Sequence, residues 1–212
     1  MTILEDISSA VQRGKKKEVK PLVQQALDEG MEPTVILNEG LVPAMDIIGD
    51  KFSAGEVFVP EMLVAARAMA AGTQILQPYL AEEGSEPIGK AVIGTVKGDM
   101  HDIGKNLVRM MIESKGFEVT DLGVDVGPEQ FVSFLQEHED TDIVCCSALL
   151  TTTMPAIQAT IDAIKAAGLR DSVKVMVGGA PITQAFADEV GADAYTADAG
   201  AAAVKAVELV GA

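Results

Sequence analysis

Tryptophan is absent from this 212-residue chain, and only 4% of its residues are aromatic. Any core must therefore be built from Ala, Val, Leu, Ile and Met, which suits an α-rich or α/β globular protein. The length allows one large domain or two small ones. Basic residues are scarce as well: 16 Lys and Arg face 32 Asp and Glu, for a net charge of −16. An acidic surface repels nucleic acid and anionic membranes, so neither is an expected partner. No apolar run of about 18 residues is present, as a membrane span would need, and the opening "MTILEDISS" has neither a basic start nor an apolar signal core. A cytoplasmic location is the expectation. The two cysteines, Cys145 and Cys146, are neighbours in "TDIVCCSALL". A disulfide between them would be strained, so they read as buried thiols in a core strand.

Helical periodicity dominates the first 80 or so residues. Thr2 and Glu5 form a Thr-x-x-Glu capping box ahead of Ile3, Ile7 and Val11. Val19, Leu22, Val23, Ala26 and Leu27 make a second apolar stripe that ends at Gly30. Two more stripes run from Leu37 to Phe52, where Pro43 should kink or split the helix, and from Met62 to Leu80. Four amphipathic helices predict a bundle. The polar stretch "AEEGSEPIGK", residues 81–90, marks a boundary and a hinge, with a helical domain over 1–88 and a second domain over 89–212. From there on, short β-branched runs ("AVIGTV", "FEVTDLG", "DIVCCSALL", "VKVMVGG", "ADAYTA") alternate with helical stripes at about 103–115, 128–138, 154–167, 181–190 and from 199. This alternation predicts a flavodoxin-like, Rossmann-like doubly wound sheet of five parallel strands, with ligands at the carboxyl ends of the strands.

One of only two histidines sits at such an end, in "GTVKGDMHDIGKN". The glycines there permit close backbone approach to a ligand, and Asp99 lies two residues before His101. A carboxylate can hold one imidazole N–H while the other nitrogen binds a metal. The same loop could instead be a phosphate-binding turn in which His101 caps the following helix. A hydrolytic metal site normally needs three protein ligands, and the second histidine, His138, lies in acidic "QEHEDTD" at an expected helix end, as a solvated residue. A single protein ligand suits a metal held in a macrocycle, either a corrin or a haem.

Asp99-x-His101-x-x-Gly104, then Ser147-x-Leu149, then Gly178-Gly179, together resemble the signature of cobalamin-binding domains. The amino-terminal "GLVPAMDIIGDKFSAGEVFVPEMLVAARAM" is similar to the helical cap of methyl-carrying corrinoid proteins. Essentially the whole chain resembles the small corrinoid proteins of methanol, methylamine, glycine betaine and aryl methyl ether methyltransferase systems, with the cobalamin module of methionine synthase a more distant relative. The resemblance implies cobalamin or a related corrinoid held base-off, with His101 on cobalt and methylated in turnover. Asp99 and Thr153 would form a proton relay, Thr153 standing where several relatives have serine. Gly98, Met100, Asp102, Ile103 and Gly104 belong to the same cofactor loop. Ser147, Leu149, Thr151, Gly178 and Gly179 would line the slot for the nucleotide tail, closed by Tyr195, Ala197 and Asp198. Phe58 would shield the methyl face, whereas Met62 and Met69 read as bundle core. The implied partners are a substrate-specific methyltransferase, a second methyltransferase acting on tetrahydrofolate or a thiol such as coenzyme M, and a reductive activating protein; no catalysis of the chain's own is expected. A cobalamin-dependent sensor and the small subunit of an adenosylcobalamin mutase are the alternatives. The first is disfavoured by the lack of an output domain, the second by the helical stripes before Ala81.

Overall fold

A computed structural model describes residues 2–82 and 86–211, so the centre of the expected hinge, residues 83–85, lies outside the described residues. The chain divides into two compact units, Met1–Glu86 and Pro87–Ala212. In the first, α1 (Ile3–Gln12) opens on the Thr2–Glu5 capping box, with both reciprocal hydrogen bonds present. Helix α2 (Lys16–Asp28) buries Val19, Val23 and Ala26. The third stripe is one helical run made of α3 (Pro33–Val35), a π-helical segment (Ile36–Leu41) and α4 (Val42–Ser53). Pro43 neither ends nor splits this run. A proline has no N–H to donate to the preceding turn, and the helix widens to π geometry just upstream of it. Helix α5 (Val59–Glu82) follows. Ile7, Val11, Leu41, Met45, Met62 and Leu76 are fully buried and form the core of the unit, and Met69 is buried beside them.

The second unit carries strands β1 (Lys90–Thr95), β2 (Glu118–Asp121), β3 (Ile143–Ser147), β4 (Lys174–Gly178) and β5 (Ala194–Tyr195), all parallel, in the order β2-β1-β3-β4-β5. The intervening helices are α6 (Ile103–Glu113), α7 (Pro128–Glu137), α8 (Met154–Ala166), α9 (Gln184–Val190) and α10 (Ala199–Val210). This is the doubly wound sheet that the alternating pattern predicts. Helix α9 starts three residues later than expected because Thr183 caps it, accepting the N–H of Phe186. Successive strand residues enter opposite layers. Val92, Val144, Cys146, Val175 and Val177 pack in one layer with Phe131, Ile157 and Ile161; Ala91, Ile93, Ile143, Cys145 and Met176 pack in the other with Ile112, Ala202 and Ala206. The adjacent cysteines are thus free thiols on opposite faces of β3. Burial pushes the Cys146 thiol up to about 12 and raises Cys145 as well, which leaves both protonated and unreactive. Strand order reverses between β1 and β3, and in such sheets the crevice above that switch point is the usual ligand site.

Candidate functional site

The two loops at the switch point are joined through one carboxylate. Asp99, in the loop after β1, has a fully buried side chain. Its Oδ2 accepts the Leu149 N–H at 2.7 Å, the Leu150 N–H at 3.3 Å and the Thr153 hydroxyl at 2.8 Å, all from the loop after β3. Its Oδ1 takes the His101 N–H at 3.1 Å and the His101 ring Nδ1 at 2.6 Å. Burial alone pushes the carboxyl up. The Leu149 N–H, the His101 ring, the Thr153 hydroxyl and the His101 N–H outweigh it and hold Asp99 well below the usual carboxylate range. An ionised carboxylate only accepts, so His101 Nδ1 carries a proton, and in the neutral ring Nε2 keeps its lone pair. The His101 side chain is 50% exposed, and among the described residues nothing bonds to Nε2.

Other groups pin the loop's backbone. The buried Thr95 hydroxyl donates to the His101 carbonyl at 2.7 Å. The Gly98 N–H donates to Asp125 at 2.7 Å, with Gly98 itself at φ 83°. Asp102 is the residue that caps α6; its side chain makes no capping bond but accepts from Asn106 at 3.2 Å. His101 is therefore not the helix cap that the phosphate-turn alternative needs. Lys105, buried in the first turns of α6, reaches Asp121 at the end of β2 at 2.5 Å. Around His101 in the chain, Met100 and Ile103 are exposed by more than two thirds; Leu149 and Leu150, whose N–H groups bond Asp99, are also exposed.

Ladder register sets Thr95, Ser147 and Gly178 side by side, with Tyr195 paired to Val177 on the next strand. Gly179 follows at φ 131°, and a Cβ there would lie 1.8 Å from the Ala148 carbonyl oxygen, so only glycine fits. Gly178 and Gly104 are less constrained. Thr151 and Ala197 are exposed, and Asp198 caps α10 by accepting the Ala201 N–H. His138 ends α7, stacked on Phe134 with its Nδ1 at the Phe134 carbonyl. Phe58 belongs to the helical unit, where it is 66% exposed. Sequence reasoning missed Thr95, Lys105, Asp121 and Asp125. The only signal for the last was an aspartate among the glycines of "DLGVDVG".

Fold and loops together define a doubly wound ligand-binding domain whose switch point presents a carboxylate-held imidazole. A family model described as a B12 binding domain matches residues 89–208, and a second so described matches residues 3–77. The chain is 43% identical over 209 residues to dimethylamine corrinoid protein 1 of Methanosarcina acetivorans, with 98% of this chain and 97% of that one covered. Among solved structures it is similar to a cobalamin-binding protein from Desulfitobacterium hafniense DCB-2, at a TM-score of 0.83 and 31% identity over 98% of both chains. It is also similar to the methanol:cobalamin methyltransferase complex MtaBC from Methanosarcina barkeri, at a TM-score of 0.84 and 26% identity, covering 98% of this chain and 79% of the other. The chain belongs to the B12-binding corrinoid proteins.

Proposed function

We propose that this protein is a methyl carrier that holds its corrinoid base-off, with His101 Nε2 on cobalt. The carrying observation is the 2.6 Å contact between His101 Nδ1 and Asp99, which leaves Nε2 unbonded on a half-exposed ring. Three features of the chain fit the group. Among the described residues no cluster of three or more His, Cys, Asp or Glu could hold a metal ion, so a metal at His101 must bring most of its own ligands. Met100, Ile103, Leu149 and Leu150 offer exposed apolar surface to a macrocycle. Gly178, beside Ser147, would leave room at the strand end for a nucleotide tail, Gly179 lets the next turn pack on the Ala148 backbone, and Thr151, Tyr195, Ala197 and Asp198 would be the tail's further lining.

When bound, the cobalt centre supplies the site at which a methyl group is accepted and released. The protein's part is to orient the imidazole, tune its basicity and store a proton. Asp99 holds Nδ1–H and fixes the tautomer, and the Thr153 hydroxyl on Oδ2 supports its charge. Nε2 would hold the metal, and the Asp99 carboxylate beside the ring would support positive charge on the imidazole. In the helical domain, residues 1–88, Phe58 would exclude water from the methyl face. The methyl donor and acceptor would be served by a substrate-specific methyltransferase and a second methyltransferase acting on tetrahydrofolate or a thiol; the similarity to MtaBC and to a dimethylamine corrinoid protein supports the first of these partners. A reductive activating protein would restore the carrier after oxidation.

Purified protein mixed with hydroxocobalamin should give the visible spectrum of a histidine-ligated corrinoid, and His101→Ala should abolish that signature. A spectrum unaltered by His101→Ala, or one of bound dimethylbenzimidazole, would defeat the assignment.

A further inference from the structure

Asp125 is the only non-glycine among the described residues with a positive φ, at 55°. A left-handed backbone disfavours any side chain, although aspartate tolerates it better than most, and such conformations persist where surrounding bonds over-determine them. The turn after β2 supplies those bonds. Asp125 Oδ1 accepts the Gly98 N–H at 2.7 Å, and the Asp125 N–H donates to the Asp99 carbonyl at 2.9 Å. One residue thus grips both ends of the Gly98–Asp99 segment. The Asp99 N–H adds a bond to the Val96 carbonyl at 3.1 Å, but packing does little to hold Gly98, which is left-handed itself and where a Cβ would meet only Thr153 Cγ2, at 3.6 Å. The flanking Val126 continues the grip, donating its N–H to the Thr95 carbonyl at 2.9 Å.

Every acceptor position that Asp99 uses depends on where its backbone sits. Its side-chain oxygens tie it to His101, Leu149, Leu150 and Thr153, whereas the Gly98 N–H and the Asp99 carbonyl are held by Asp125. We propose that Asp125 is a positioning residue for the histidine loop, acting through the Gly98 N–H and the Asp99 carbonyl to set the direction of the His101 ring. Its consequence for cobalt rests on the ligand role proposed for His101.

Three variants of the full-length protein separate the bond from the backbone. Asp125→Gly keeps the left-handed turn and removes the acceptor; Asp125→Asn keeps both, because the amide oxygen accepts and asparagine tolerates this region. His101→Ala is the control for the ligand itself. In the cofactor-free protein, amide exchange at Gly98 should quicken about five- to ten-fold in Asp125→Gly, the effect of one lost hydrogen bond of ordinary strength. With hydroxocobalamin added, the same variant should show a smaller histidine-ligated fraction, while its melting temperature stays within a few degrees of the parent. Asp125→Asn should match the parent in both readouts. The inference is overturned if Asp125→Gly leaves either the Gly98 exchange or the histidine-ligated fraction unchanged, or if Asp125→Asn behaves like Asp125→Gly. If His101→Ala retains the histidine signature, the ligand role fails, and the cofactor-free exchange still judges the clamp on its own.

Discussion

The two units of this chain bury different things. Among the described residues, every buried polar or charged side chain, namely Thr95, Asp99, Lys105, Ser114, Thr141, Thr153 and Thr160, belongs to the sheet unit. The helical unit buries apolar side chains such as Ile7, Leu41, Met45 and Met62, with Pro33 and glycines between them. Burying an unpaired polar group costs a few kcal/mol, so a fold gains little from doing so. Thr95, Asp99, Lys105 and Thr153 nonetheless gather at the carboxyl ends of β1 and β3 or in the helices that follow them, each with a hydrogen-bond partner. The interior of the helical unit reads as packing alone, whereas the sheet unit spends polar burial on holding one loop still. Preorganisation of that kind is what an exposed imidazole on a glycine-rich loop requires.

The sharpest way to break this contrast is a pair of alanine substitutions. Asp99→Ala removes the acceptor for the Leu149 N–H and the Thr153 hydroxyl and frees the His101 ring. It should cost the sheet unit about 3–5 kcal/mol, the usual consequence of breaking a buried charged network by removing one member. Ile7→Ala empties part of a fully buried position in the helical unit and should cost about 2–4 kcal/mol. Amide exchange reads the two units separately, and each loss should stay within its own unit. The histidine signature of bound cobalamin should vanish with Asp99→Ala and survive Ile7→Ala. An Asp99→Ala protein whose sheet unit is within about 1 kcal/mol of the parent would mean that the network is ornament rather than anchor.

Acid should expose the same difference more gently. The folded-state pKa of Asp99 is depressed, so its stabilising contribution is fully present above the unfolded value of about 4 and is lost as pH falls from there towards the folded pKa. Glu113 acts in the opposite sense. Burial raises its pKa, against the pull of Arg109, so it costs stability at neutral pH and costs less as it protonates. In urea unfolding followed at sheet-unit amides, stability should therefore drop in the parent as pH falls below about 4. Asp99→Asn should flatten that limb, and the helical unit, with no buried carboxylate among its described residues, should hold its stability better. Equal acid slopes in parent and Asp99→Asn would remove Asp99 as the cause.

How much of this was legible beforehand follows from what each feature depends on. Strand and helix order came through because β-branched runs such as "IVCCS" and stripes such as Ile157, Ile161 and Ile164 carry their own periods. Gly30, Gly116 and Gly168 were legible as helix ends because a left-handed residue is needed there, and all three have positive φ. Asp99 beside His101 was legible from sequence separation alone, since the two residues share one short loop. Lys105 and Asp125 were not, because their partners lie across the fold, and Thr95 was not, although its partner His101 is six residues on, because a threonine closing a strand is ordinary. Lys105 meets Asp121 sixteen residues away, and Asp125 meets Gly98 twenty-seven residues away. The π-helical widening before Pro43 was hidden for a different reason: a missing N–H predicts that something must yield, without saying whether the helix breaks or widens.

The finest test of the contrast lies at Thr153. Its hydroxyl lies 2.8 Å from Asp99 Oδ2 and 2.9 Å from the Leu150 carbonyl oxygen, so its single proton is shared between a carboxylate and a backbone acceptor. The β-methyl restricts χ1 and keeps the hydroxyl turned towards Asp99, and it sits near Gly98, as the 3.6 Å approach of a hypothetical Cβ shows. Thr153→Ser keeps the donor and loses one buried methyl, a cost of about 0.8 kcal/mol. Thr153→Val keeps the shape and loses the donor. Oδ2 would still accept the Leu149 and Leu150 N–H groups, so the penalty should be about 1–2 kcal/mol rather than the full price of an orphaned charge. Exchange at residues 149–153 should rank the proteins as parent, then Ser, then Val, with the histidine-ligated fraction in the same order. If Val were the milder change, the methyl's packing would matter more than the hydroxyl's bond, and Thr153 would belong with the apolar logic of the helical unit instead of the polar cluster around Asp99.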